Sequence, residues 1–469
     1  MDTKPSTDAT DTQRDIQVEH GHHSPPCPRK PGRRQSKLIA PPNPVELLLK
    51  TVGHFLRGLS AAMNRVPDPR KTSQCVYTQA HLLWSGVLIF LMHLQSRRQM
   101  RFEKQAESFA HNVARLSGQY DVQTVADPDT LAYYAERLPV EAADQLLADI
   151  TRQMIRMKAL DPFRLREYFC VAMDGSQICT FDAEPWPGCP HRTLADGSIQ
   201  YFAYVLDAKL LTPCGMALTL ATIMLTNEGK DEFDKQDCER KAFERLVEKL
   251  YALFPRTPIC LLLDGLYADQ GVIRLIEQKR WKYIITFKEG SMPERFREAE
   301  TLAKLQTQNR SEVRLPEGKQ HYQWAEALPI AEFTLNVLFC NETDKTGDSR
   351  RFVWLTNFHL CRNNANKIAN QGGRLRWKIE NEGFNVQKNN GYEMQHPYSG
   401  HANGFRIFYI LLLIAHYINQ LILHSNLIQS LRSTFGSARN FARRLAESMR
   451  NHAVPTNLAM PGQIRFRPP

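Results

Sequence analysis

The hydrophobic period changes several times along the chain, and each change marks an expected element. Between 44 and 157 apolar residues recur at helical spacing, as in ELLLKTVGHFL and DQLLADITRQM, which predicts a largely helical stretch. The run CVAMD then ends in Asp174, and 178–181, 201–206 and 217–225 are rich in β-branched and aromatic residues, predicting three successive strands. Helical spacing returns over 235–254, where Phe243, Leu246, Leu250 and Leu253 share one face. The short continuous apolar run 259–263 reads as a strand buried on both faces of a sheet flanked by helices, and it ends in Asp264. A helix is expected over 268–278 and one more strand over 283–287.

Three strands, a helix, a strand, a helix and a strand, in that order, match a ribonuclease-H-like core, so the predicted fold class is α/β with a mixed sheet flanked by helices. In such a sheet the first and fourth strands are neighbours, and Asp174 and Asp264 converge. Between 287 and 372 the pattern is interrupted by alternating runs at 333–340 and 352–358, separated by the polar loop NETDKTGDS, which predicts a β-rich insertion. The helical stretch GGRLRWKIENEGF follows and carries Glu380. The expected organisation is a disordered basic Pro-rich tail over 1–45, a helical N-terminal region over 46–165 and the first part of the core over 166–289. The insertion then occupies 290–372, the Glu380 helix and a C-terminal core helix 373–428, and a basic tail 429–469.

Two apolar stretches bear on membrane association. The run 84–94 is too short to span a bilayer, and 405–423 is interrupted by Arg406, His416, Asn419 and Gln420, so a buried core helix is expected and no membrane partner. Lys plus Arg exceed Asp plus Glu by 60 − 49 = 11, and the pI is near 9.1, a balance that suits a nucleic-acid partner. The excess is concentrated: five cations lie over 29–37, and 429–469 holds seven Arg against one acid, Glu447. The ten cysteines form no CxxC pair, and they read as reduced core thiols of a cytoplasmic protein, not a zinc site or disulfide framework. The HisGlyHisHis run at 20–23 is expected to be solvated.

Ionised carboxylates at the ends of buried strands lose hydration unless a cation replaces it, which makes Asp174, Asp264 and Glu380 a candidate divalent-metal site. The plainer account of both aspartates is a turn or loop cap, since Asp-Gly is a common turn dipeptide. On a regular helix Arg376, Glu380, Phe384 and Lys388 share a face, while Glu382 points roughly 200° away from Glu380. That face, a carboxylate between two cations, suits a metal ligand beside DNA phosphates; the plainer account is a solvated helix with an i, i+4 ion pair. Trp324 and Trp354 could stack on an unpaired base or simply pack a small core.

Taken together, RLRWKIENEGFNVQKNNGYEMQHPYS (374–399), VAMDGSQ, YFAYVLDAKL, KQDCE (235–239) and LLLDGLYAD resemble a bacterial insertion-sequence transposase of the Asp-Asp-Glu type, in the group with a β-rich insertion before the Glu. The resemblance runs from about 68 to 424. It implies cleavage of double-stranded DNA at element ends and joining of the 3′-hydroxyl to target DNA. Asp174, Asp264 and Glu380 would hold two Mg2+ or Mn2+ ions, and a homodimer would pair the two ends. It further implies DNA contacts by Arg374, Arg376, Lys378, Asn385, Lys388 and Tyr392, with Lys235, Asp237, Arg240 and Asn389 as lesser candidates. An Arg four before the Glu fits the family pattern, whereas Lys388, eight after it, comes one residue later than expected. A metal-dependent nuclease and a non-catalytic DNA-binding regulator of the same descent are the alternatives.

Overall fold

The computed structural model describes residues 42–226, 235–428, 430–460 and 462–467. The expected N-terminal tail, its His run and its cation cluster lie almost wholly outside the described residues, as do the side chains of Lys235 and Asp237.

The N-terminal region is helical, as expected, with Pro44–Phe55, Gln79–Leu91, Glu107–Ser117 and Val140–Arg156 its longer helices. Asn43 and Thr78 begin the first two by accepting hydrogen bonds from Val45 and His81 backbone N–H groups, and Pro44 occupies the position where a missing N–H costs nothing. The strands that follow form one mixed sheet: β1 (Phe169–Phe181), β2 (His191–Thr193), β3 (Ile199–Leu211), β4 (Ala217–Met224), β5 (Ile259–Leu263), β6 (Lys282–Thr286), β7 (Arg310–Leu315), β8 (Gly318–Ile330), β9 (Phe333–Asp344) and β10 (Ser349–Thr356). Their order is β2-β3-β1-β5-β6-β10-β9-β8-β7, with β4 also on β3. β3 is antiparallel to β1, whereas β1, β5 and β6 run parallel. Every residue of β5 is buried, because helices cover the sheet and β5 lies between two strands.

Two expectations change, and the place of the inserted strands is settled. The runs CVAMD and 178–181 are one strand, so Asp174 sits within β1 and does not end it: β3 pairs with β1 from Val171 to Phe181, carrying the chain straight through the Asp-Gly dipeptide. The 287–372 region is rich in strands, as expected, and the pattern did not show where they go: β10 pairs with β6 through Trp354↔Thr286, Leu355↔Ile285 and Thr356↔Ile284, so β7–β10 extend the same sheet. The basic C-terminal stretch is folded back on the N-terminal helices. Its helix Ala438–Asn451 buries Phe441, Ala442, Leu445, Ala446 and Met449, and Asn112 Nδ2 donates to the carbonyls of Met449 (3.1 Å) and His452 (2.8 Å). Phe466 stacks on Phe55, 5.1 Å between centroids.

The helix Ala402–His424 is long and apolar enough to cross a membrane, but it runs through the interior, packed against Gln79–Leu91, Val140–Arg156 and β4. Its polar residues find partners there: Gln420 caps the start of β4 through Ala217 N–H (2.6 Å), and Asn419 donates to Tyr392 Oη (2.7 Å).

Candidate active site

The register of two parallel strands brings the first two carboxylates together. β1 and β5 pair from Phe169↔Ile259 to Ala172↔Leu262, so Asp174 and Asp264 each lie two residues beyond the last pair, side by side at the same level. Asp264 ends β5 and starts the short turn Gly265–Tyr267, accepting from Leu266 N–H at 2.9 Å. It therefore does cap a loop, and its position beside Asp174 comes in addition. Asp174 Oδ1 accepts from Gly175 N–H (2.9 Å) and Oδ2 from the buried Arg376 guanidinium (3.1 Å).

Glu380 arrives from a distant part of the chain on a segment that is not a regular α-helix. Gly373–Trp377 is a 3-10 helix, Ile379–Phe384 a π-helix and Asn385–Asn389 an α-helical turn. The single face expected for Arg376, Glu380, Phe384 and Lys388 is thus broken up: Arg376 and Phe384 are buried, Glu380 is exposed and Lys388 half-buried. Burial raises the Asp174 pKa; Arg376 and the Gly175 N–H oppose that, and the negative charges of Asp264 and Glu380 add to it. All three carboxylates are therefore felt at one point. Glu382 points elsewhere, its carboxyl carbon 3.9 Å from where a Cβ on Gly215 would lie, in the turn between β3 and β4.

The expected DNA contacts scatter. Arg374 pairs with Glu342 on β9 and lies over the Phe352 ring at 4.8 Å. Lys378 approaches the same Gly215 turn as Glu382. Asn385 is exposed and accepts from Asn389 Nδ2 (2.5 Å), while Arg240 pairs with Asp269 (2.7 Å). Tyr392 is 4% exposed, its hydroxyl held by Asn419 and its ring against His416, so it packs the core and does not meet a phosphate. Trp324 is likewise buried, at 2% exposed, which leaves it the packing role alone.

A cleft of about 560 Å³ opens beside the site, lined by Lys288, Arg350, Phe352, Trp354, Arg374 and Trp377. Phe352 and Trp354 stack within it, and Trp377 is 59% exposed next to Arg376. Sequence reasoning missed Trp377 although it lies inside the quoted motif; an aromatic among three cations was the available signal. It also missed Glu239, a buried carboxylate that accepts from Tyr267 Oη (3.1 Å); burial first, and then Glu239 with the site carboxylates, pushes up the pKa of both Tyr267 and Tyr204. Its spacing ahead of Phe243, Leu246 and Leu250 put it on the buried helix face.

Among the described residues no three His, Cys, Asp or Glu side chains are gathered as a ready metal cage. The donor chemistry nevertheless fits a hard divalent cation: three carboxylates bring oxygen ligands only, and their mutual repulsion at Asp174 is what such an ion would relieve. No model of a known protein family matches this chain, and no curated protein is similar enough to serve as a relative.

Proposed function

We propose that the protein is a DNA transposase of the Asp-Asp-Glu type, cleaving phosphodiester bonds at insertion-sequence ends and joining the 3′-hydroxyls to target DNA. The observation that carries this reading is the meeting of three segments at Asp174: the β1–β5 register sets Asp264 beside it, and the charges of Asp264 and Glu380 add to burial in raising its proton affinity. The sheet supports it: β4-β3-β1-β5-β6, with β3 alone running against the other four, is the order expected of a ribonuclease-H-like core. Two Mg2+ or Mn2+ ions held by these carboxylates would stabilise the attacking and leaving oxygens of an in-line displacement. Arg376 orients Asp174 and moderates its charge, and the neighbouring cleft offers arginines to phosphates and an exposed indole to an unpaired base.

The late lysine is consistent with the same reading. A π turn closes i→i+5 bonds and so holds one residue more than an α turn. With Ile379–Phe384 in that form, Lys388 takes the direction that the residue before it would have on an uninterrupted α-helix. Gln387 instead turns inward, bonded to His416 Nδ1 at 3.0 Å.

The test is Mg2+-dependent nicking and strand transfer on DNA carrying the element's own ends, comparing wild type with Asp174→Ala, Glu380→Gln and Glu382→Gln. Loss in the first two with retention in the third is expected. Activity surviving in Glu380→Gln would overturn the assignment of the third ligand. End binding without cutting in wild type would favour the regulator, a reading to which the direct Arg376–Asp174 bond also lends itself. Cutting without strand transfer would favour the nuclease. A homodimer on paired ends belongs to the same proposal.

A further inference from the structure

Beneath the turn that carries Glu380 lies an ion pair closed off from water. Lys209 Nζ and Asp207 Oδ2, both on β3, are 2.6 Å apart, and both side chains are 0% exposed. Lys209 also donates to Thr219 Oγ1 on β4 (2.9 Å), and Tyr409 of the central helix donates to the same Asp207 oxygen (2.8 Å). Asp207 is the register partner of Asp174 across β1 and β3.

The pair touches the π turn directly. Lys209 Nζ lies 4.7 Å from the centre of the Phe384 ring. A Cβ on Gly383 would stand 3.0 Å from both Lys209 Cδ and Cε, so glycine lets the turn settle this close without the lysine stem having to give way. A buried ion pair is a poor source of stability, because desolvating both charges costs about as much as their attraction returns, and apolar replacements are often neutral or better. The best-attested use of such a pair is to fix register. Here the alternative is concrete. Tightening 379–384 to an α turn would rotate Gly383 and Phe384 off the lysine and carry Glu380 away from Asp174.

We propose that Asp207 and Lys209 are positioning residues that hold the 379–384 turn in its π register and so aim Glu380 at Asp174 and Asp264. The proposal rests on the reading of those carboxylates as a metal site. Its test compares full-length wild type with Asp207→Asn/Lys209→Met, which removes both charges at nearly constant volume and leaves Tyr409 an acceptor. The readouts are Mn2+ affinity by titration calorimetry, amide hydrogen exchange over 379–384 and thermal unfolding. The double variant is expected to keep a thermal midpoint close to wild type, to bind Mn2+ about tenfold or more weakly, as loss of a supporting shell does, and to exchange faster over 379–384. Wild-type Mn2+ affinity with unchanged exchange would overturn the proposal. Should wild type bind no Mn2+, the metal reading fails by itself, and the register claim is decided by exchange alone. If the double variant does not fold, Gly383→Ala presses on the same lysine with the ion pair intact; weaker Mn2+ binding is expected, and unchanged affinity would overturn the proposal.

Discussion

Gly383→Ala offers a sharp test of how tightly the site segment is seated. The added Cβ would sit 3.0 Å from Lys209 Cδ and Cε and 3.9 Å from Ala217 Cβ. Carbon atoms in ordinary contact are about 3.5–4.0 Å apart, so the lysine stem or the turn must yield by a few tenths of an ångström. The stem has little freedom, because its ammonium is bonded to Asp207 at 2.6 Å and Thr219 at 2.9 Å inside a closed space. Overpacking of this kind costs about 1–3 kcal/mol. Against it stands the usual gain of about 0.5–1 kcal/mol for replacing a helical glycine by alanine. The net expectation is a loss of about 0.5–2 kcal/mol, read as a lower urea midpoint at unchanged slope. Gly290→Ala, where a Cβ meets open space, is the control and should stay within about 0.5 kcal/mol of wild type. A Gly383→Ala variant stabilised by about 1 kcal/mol would refute the reasoning, since it would mean that the turn is free to move off the lysine.

Other expectations follow from the charges and the cleft. The raised Asp174 pKa contributes stability at low pH that is lost as pH rises through the folded value, so a divalent cation should raise the thermal midpoint at neutral pH, and less so as pH falls through that value; a cation effect independent of pH would contradict the site. His416 is buried with its pKa lowered to about 3 by burial first and then by Lys209, so it favours the fold above its unfolded value of 6.5 and opposes it as pH falls below. His416→Gln should accordingly flatten the acid limb of urea stability by about 1.4 kcal/mol per pH unit between roughly pH 6 and 4, and an unchanged limb would show that the imidazole does not remain neutral. Trp377→Ala should leave stability within about 0.5 kcal/mol, because the ring is exposed, yet weaken binding of DNA with an unpaired base by about 1–3 kcal/mol at unchanged salt dependence; fluorescence anisotropy at two salt concentrations separates stacking from phosphate contact.

Much of the core was legible because its signals are local. The run 259–263 is β5 to the residue, the expected helix over 235–254 is Lys235–Leu253, and 283–287 is β6 shifted by one. A fully apolar five-residue run or a 3.6-residue stripe carries its own instruction wherever the chain goes. The C-terminal helix was equally readable from Phe441, Leu445 and Met449 at helical spacing, and it was the density of arginines that hid it. Asp174 was misjudged as a strand end because Asp-Gly turns are common in isolation; pairing with β3 over the whole length of β1 overrides that preference. The convergence of Asp174 with Asp264 followed from strand order, since parallel neighbours bring their ends to one level.

The sequence alone determined which residues could carry the chemistry, the alternation of strands and helices, and the apolar faces that must be buried, because each depends on neighbours a few positions away. Only the tertiary structure decided the rest. The broken helix that turns Glu380 and Glu382 in different directions, the burial of Tyr392 and Trp324, and the exposure of Trp377 all depend on partners far along the chain. Lys209, some 170 residues before Glu380, meets the site turn only once β3, β4 and the central helix have packed, and no period in the sequence encodes a contact that the sheet itself creates.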